Sequence, residues 1–299
     1  MTPVFHRPDT LAEAGDLLTR CDHAMVYGGG TAVQILAKQG VLFATDLVDI
    51  AGIPGLSGIE ETGDGLRIGA MTPLRAVETS PVVRRVAPLA ASVYGHVANP
   101  RVRNTASVGG NIAHGDYRLD PPTALLVLGA TVALTGPDGV RRVPVRAFFV
   151  GFQETAVRPG EIVTTIEIPR QPDAAGAGFS KLSSLSANDW PCASAAALLA
   201  GTSRAFGRRG PDRLRLGLGA VAPTPVFTEV ELANDISEDD AAEAARAAAV
   251  PLVDPIPDVR GSAAYKTRLA FVAVDEAVRT AWKERFDDGG LPRGRRRGR

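Results

Sequence analysis

The chain has 299 residues, 45% of them hydrophobic and 22% charged, enough for two domains of ordinary size with a core each. Its 33 basic and 33 acidic residues cancel, so no net field recommends nucleic acid or an anionic membrane as partner. Two cysteines, Cys21 and Cys192, cannot supply the four thiolates of an iron–sulfur cluster, so any such cluster would sit on another chain.

Residues 1–16 lack a basic segment followed by an apolar stretch. The most apolar window, residues 121–134, is broken by prolines, threonines and Gly129. A soluble cytoplasmic protein with no membrane span is the expectation. His6, His23, His96 and His114 are scattered without metal-ligand spacing, and no metal is assigned from the sequence.

Thr10 and Glu13 stand at capping-box spacing ahead of an apolar face made by Leu11, Ala14, Leu17 and Leu18, which predicts a first helix. A strand over residues 24–27 runs into Gly28-Gly29-Gly30, and helical spacing resumes over residues 31–38, ending near Gly40. A strand over residues 47–50 then closes a small βαβ-like unit. Apolar runs flanking Gly63-Asp64-Gly65 and Gly136-Pro137-Asp138-Gly139 predict two antiparallel hairpins, and Ile162, Ile166 and Ile168 a further strand. Between the hairpins the reading gives a helix over 81–94, a polar loop over 99–120 and a short helix over 121–128. A loop of that length suggests a site beneath it.

Proline, glycine and alanine interrupt the pattern over residues 169–178, which marks a domain boundary. The alanine-rich stretch 193–200 reads as either helix or strand, whereas Leu214, Leu216, Leu218 and Ala220 alternate as a strand. Helices follow over 238–250 and 262–286. The glycine–arginine run 289–299 reads as a disordered tail.

Two glycine-rich loops carry the chemistry. Gly28-Gly29-Gly30-Thr31 joins a strand to a helix, so unencumbered amides and a positive helix end can face a pyrophosphate. The spacing is neither that of G-x-G-x-x-G nor that of a P-loop. Thr105-Ala106-Ser107-Val108-Gly109-Gly110-Asn111 adds hydroxyl and amide side chains able to bond a diphosphate or a ribitol chain. Two unrelated turns remain the bland alternative.

The stretch Ala98-Asn99-Pro100-Arg101-Val102-Arg103-Asn104-Thr105-Ala106-Ser107-Val108-Gly109-Gly110-Asn111-Ile112-Ala113-His114 resembles the core motif of FAD subunits in the xanthine dehydrogenase and carbon monoxide dehydrogenase family. Residues 28–33 look like that family's first flavin loop, and Leu66-Arg67-Ile68-Gly69-Ala70-Met71-Thr72 like the strand and turn between the loops. Gly219-Ala220-Val221-Ala222-Pro223-Thr224-Pro225 and Arg260-Gly261-Ser262-Ala263-Ala264-Tyr265-Lys266 resemble markers of its C-terminal domain.

The resemblance implies an α+β fold. A two-subdomain FAD-binding domain of the PCMH (vanillyl-alcohol oxidase-like) type would span 1–172, with subdomains of about 1–53 and 54–172. A smaller α+β domain with antiparallel strands would span 177–286, and a tail 287–299. It implies FAD held by Gly28, Gly29, Gly30, Thr31, Ala32, Thr105, Ser107, Val108, Gly109, Gly110 and Asn111. Asp120 would bond the cofactor or, alternatively, cap the following helix. Val163 and Lys181 would lie near the isoalloxazine ring, where a cation favours the reduced, anionic flavin; a solvated surface lysine is the alternative. Tyr27 either leans on the flavin or packs in its strand.

No catalytic side chain is assigned, since the flavin carries the chemistry. Implied partners are a molybdenum cofactor-binding large subunit and a two-iron two-sulfur small subunit, in a dimer of heterotrimers. The sequence departs from the family at Ser183-Ser184-Leu185, where many relatives carry arginines, and at Ala32 and Val33. Two other readings stay open. One is a flavoenzyme resembling the UDP-N-acetylenolpyruvoylglucosamine reductases, which needs a serine acid that is not matched here. The other is a non-redox nucleotide-binding scaffold module.

Overall fold

The computed structural model describes residues 3–203, 209–233, 235–287 and 291–292, so most of the expected tail lies outside the described residues. The first unit comprises β1 (Val4–His6), α1 (Leu11–Arg20), β2 (Ala24–Tyr27), α2 (Thr31–Lys38) and β3 (Asp46–Asp49). Thr10 Oγ1 accepts the Glu13 amide at 3.2 Å, while Glu13 Oε2 reaches back to the Asp9 amide at 3.0 Å. The box thus closes on the residue before the cap. The strands lie in the order β1-β3-β2, all parallel, with Ala24 opposite Asp46. That is the expected βαβ unit, with β1 added on its outer side.

The second unit is a five-stranded antiparallel sheet, ordered β4-β5-β10-β6-β7. Its strands are β4 (Ile59–Glu61), β5 (Gly65–Gly69), β6 (Thr131–Gly136), β7 (Gly139–Pro144) and β10 (Ile162–Pro169). Both predicted hairpins are present, and β10 is inserted between them, Ile166 opposite both Ile68 and Val132. A short hairpin of β8 (Phe149–Gly151) and β9 (Glu154–Thr155) precedes β10.

Helices α3 (Leu74–Thr79), α4 (Pro81–Val86), α5 (Pro88–Gly95), α6 (Pro100–Thr105), α7 (Val108–Ala113) and α8 (Pro121–Leu128) belong to the same unit. The single helix expected over 81–94 is broken, because Pro88 has no N–H to continue the ladder and Ala87 before it leaves the helical region at φ −143°. The polar loop expected over 99–120 contains two short helices. Asn99 Oδ1 caps α6 through the amides of Arg101 and Val102, and Ser107 Oγ caps α7 through Gly110. Runs this short, one carrying two glycines, give too little periodicity to read as helices. Every residue of α8 is buried, so it has no polar face.

The last unit is an antiparallel sheet of β11 (Gly176–Leu182), β12 (Ala193–Ser203), β13 (Arg209–Gly219) and β14 (Val226–Leu232), followed by α9 (Glu238–Ala249) and α10 (Ala263–Arg285). The ambiguous alanine run is strand β12. Ala193, Ala195, Ala197 and Leu199 face the core shared with α10, while Ala196 and Leu198 join the core of the second unit. A strand buried on both faces shows no polar alternation. Alanine suits it because α10 packs closely on this face of the sheet: on the neighbouring β11, a Cβ on Gly178, opposite Ala197, would overlap the Ala277 carbonyl.

Among the described residues, no helix is long and apolar enough to cross a membrane.

Candidate functional site

A cleft of about 770 Å³ opens where the three sheets approach one another, and both glycine-rich loops line it. The first loop turns from β2 into α2 through Gly30, whose φ of +68° is a left-handed conformation natural to glycine. Among the described residues, the amides of Gly28, Gly29, Gly30, Thr31 and Ala32 donate to no protein acceptor. Five free donors at a helix start form a cradle for an anion. Tyr27 packs edge-on against Phe5 with ring centroids 5.3 Å apart, under Gly30 and off the cleft wall.

The second loop is organised differently. Its amides are spent internally: Val108 donates to the Thr72 carbonyl at 2.9 Å, Gly109 to Ala70 at 2.7 Å, and Asn111 to Ser107 at 2.9 Å. The turn after β5 therefore holds this loop in place, and a bridge between Pro73 and Ser107 adds to it. The loop offers the cleft side chains instead. Asn111 Oδ1 is buried without a protein partner, and the Ser107 hydroxyl sits beside Gly28.

The two loops touch. A Cβ on Gly29 would overlap the Thr105 carbonyl, so only glycine permits this approach. Of the expected site residues, Gly28, Gly29, Gly30, Thr31, Ala32, Ser107, Gly109, Gly110, Asn111, Asp120, Val163 and Lys181 all line the cleft. Thr105 and Val108 do not. The Val108 side chain is fully buried in the core, and Thr105 Oγ1 turns back to the Arg101 carbonyl at 3.3 Å.

Asp120 and Lys181, expected as separate contacts, form one buried ion pair, Nζ to Oδ2 2.7 Å. Lys181 also donates to the His96 carbonyl at 2.9 Å, which excludes the solvated-lysine alternative. Asp120 makes no side-chain bond to α8, so it does not cap that helix through its carboxylate. Its Oδ1 is buried and unpartnered. Burial pushes the Asp120 carboxyl up to about 6, against the opposing pull of Lys181.

The outer wall escaped the sequence reading. Arg118 grips Asp116 through two bonds of 2.9 and 2.7 Å and lies over the Trp190 ring, 4.6 Å from its centroid. Asp189, next to that ring, is held by Arg260 at 3.0 and 3.2 Å, and this bond keeps its carboxyl below the usual range. Behind them, fully buried Lys266 meets Asp258 Oδ1 at 2.9 Å. The signal was in the charged residues of the Arg260 to Lys266 stretch, but the partner of Arg260 on the cleft wall, Asp189, is 71 positions away.

Residues 2–171 match the family model described as the FAD binding domain in molybdopterin dehydrogenase, and residues 179–281 match the CO dehydrogenase flavoprotein C-terminal domain. The chain belongs to this family. It is 33% identical over 282 residues to the carbon monoxide dehydrogenase medium chain of Hydrogenophaga pseudoflava, covering 93% of this chain and 96% of that one. It is 30% identical to the nicotine 6-hydroxylase medium subunit of Paenarthrobacter nicotinovorans, over 92% and 94% of the two chains. A solved chain of the Hydrogenophaga pseudoflava carbon monoxide dehydrogenase, in a form lacking the Mo-pyranopterin moiety, superposes with a TM-score of 0.86 at 32% identity, covering 94% of this chain and 99% of that one.

FAD is thus the cofactor of the first domain, and the chain is an oxidoreductase subunit. The cleft fits that group. Free amides suit a diphosphate, and the unpartnered oxygens of Asn111 and Asp120 suit hydroxyl or N–H donors.

Proposed function

We propose that this chain is the FAD-binding electron-transfer subunit of a molybdenum-containing hydroxylase or dehydrogenase. It receives electrons from iron–sulfur clusters of a partner chain and delivers them to an external acceptor. The observation that carries this reading is the contact of the two glycine loops across a cleft whose first loop presents five free amides. The flavin, when bound, supplies the redox chemistry.

The chain's own residues bind and orient. Gly28 to Ala32 donate main-chain hydrogen bonds to the diphosphate, and Ser107, Gly109, Gly110 and Asn111 complete the cradle. Asp120 accepts a bond from the cofactor through Oδ1, while Lys181 holds positive charge beside the ring. Val163 and Trp190 exclude water from the walls. The organic substrate is oxidised elsewhere, on a molybdenum-bearing large subunit, and a two-iron two-sulfur small subunit relays the electrons. The assembly is a dimer of such heterotrimers in the cytoplasm, and the domains divide at residues 172–177.

An absorbance spectrum of gently purified protein, with flavin released by heat and acid and identified by chromatography, tests the reading. FAD near one per chain, without reduction by organic substrate in the isolated chain, is expected. Failure to retain flavin after incubation with FAD would favour the scaffold alternative, and substrate-dependent reduction by the single chain would refute the division of labour.

A further inference from the structure

Away from the cleft, three side chains widely separated in sequence converge on the parallel sheet. His6 ends β1, Cys21 follows the last turn of α1, and Asp46 opens β3. Their ligand atoms all lie within 4.8 Å of one another, and all three residues are half-buried. His6 Nε2 stands 2.6 Å from Asp46 Oδ1, and Thr45 Oγ1 donates to Asp46 Oδ2 at 2.8 Å. None of the three lines the cleft.

We propose that His6, Cys21 and Asp46 form a binding site for one divalent cation of the zinc type, independent of the flavin. Thiolate, imidazole and carboxylate are the three ligand classes that zinc accepts, with water in the fourth position. A sulfur and a nitrogen donor disfavour magnesium and calcium, which take oxygen ligands. One thiolate and one carboxylate balance the charge of a divalent ion, leaving no net charge in a half-buried place. Cys21 would bind as the thiolate and His6 as the neutral imidazole, its N–H carried on the nitrogen away from the ion. Thr45 fixes the orientation of the carboxylate, as partners of metal ligands do. Because each ligand comes from a different element, an ion here ties β1, α1 and β3 together in the unit that carries the first glycine loop.

Cobalt(II) titration of the full chain, stripped of metal with a chelator, tests this by difference spectroscopy against the flavin background. A thiolate-to-cobalt charge-transfer band saturating at one ion per chain, displaced by zinc, is expected. Cys21→Ser, with circular dichroism unchanged, should abolish the band, and His6→Gln should weaken cobalt binding. Absence of the band, or its survival in Cys21→Ser, would overturn the proposal and leave His6 and Asp46 as an ordinary ion pair.

Discussion

Lys181 and Asp120 meet at 2.7 Å with only 5% and 4% of their side chains exposed, one on the first strand of the last sheet and the other just ahead of α8. Contact between them joins the C-terminal sheet to the domain that carries both loops. Removing the cation by Lys181→Met leaves a buried carboxylate without its partner, a loss of about 3–5 kcal/mol near neutral pH. Denaturant unfolding of the apoprotein would measure it, and a change within error would show the pair to be energetically idle.

The same carboxyl sets a pH dependence with a definite sign. Burial raises Asp120 from an ordinary 3.8 to about 6. Between those values the folded chain holds more protons at this site than the unfolded chain does. Its contribution to stability is therefore full below the lower value and declines as pH rises through the window. Asp120→Asn removes the titration, so the stability of the wild type relative to the variant should fall steadily between about pH 4 and 6. A difference that stays flat with pH would contradict the assignment.

Gly29→Ala tests the contact between the loops. The added methyl meets the Thr105 carbonyl, which the neighbouring bridge between Pro73 and Ser107 keeps from yielding. Overpacking of this kind costs about 1–3 kcal/mol. FAD per chain after gel filtration should drop sharply while circular dichroism is kept. Full flavin content in the variant would show that the loops can separate without harm to the site.

Ion pairs elsewhere should sort by burial. Lys266 is fully buried against Asp258, and its replacement by Met should cost about 3–5 kcal/mol. Arg142, 58% exposed beside Glu167, should lose no more than about 1 kcal/mol on replacement by Met. Thermal melts of the two variants give the comparison, and equal losses would refute it.

Arg260→Ala should free the segment that presents Trp190. It breaks two bonds to Asp189, worth about 1.5–3 kcal/mol for a charged pair. In a Trp282→Phe background the emission of Trp190 should shift toward that of a solvated indole, and an unchanged spectrum would mean that the segment is held by other contacts.

Local signals carried most of the fold. Glycine turns, hairpin flanks and the Thr10 to Glu13 spacing are features of neighbouring residues, and each became the element expected of it. Where the sequence left an element open or unread, the cause lay in packing or length. Strand β12 hides its alternation because both faces are buried, and α6 and α7 are too short to show a period. In the site, the glycine loops were legible as chemistry, and Asp120 only through the family resemblance. That Asp120 and Lys181 form a pair, and that Arg118 and Arg260 hold the wall at Trp190, depends on contacts across 61, 72 and 71 positions, respectively. No spacing rule reaches that far.

The cleft draws its walls from all three sheets, whose cores are only partly shared: Ala196 and Leu198 of the last sheet enter the core of the second, and Ile162 of the second enters that of the first. A ligand that touches every wall is therefore linked to their assembly. At a hundred times its dissociation constant such a ligand adds about 2.7 kcal/mol to folding, a large share of the stability of an ordinary domain. Vitamin supply then becomes a determinant of protein abundance. A cell starved of riboflavin is predicted to hold less of this chain, cleared by its proteases, and not the same amount in apo form.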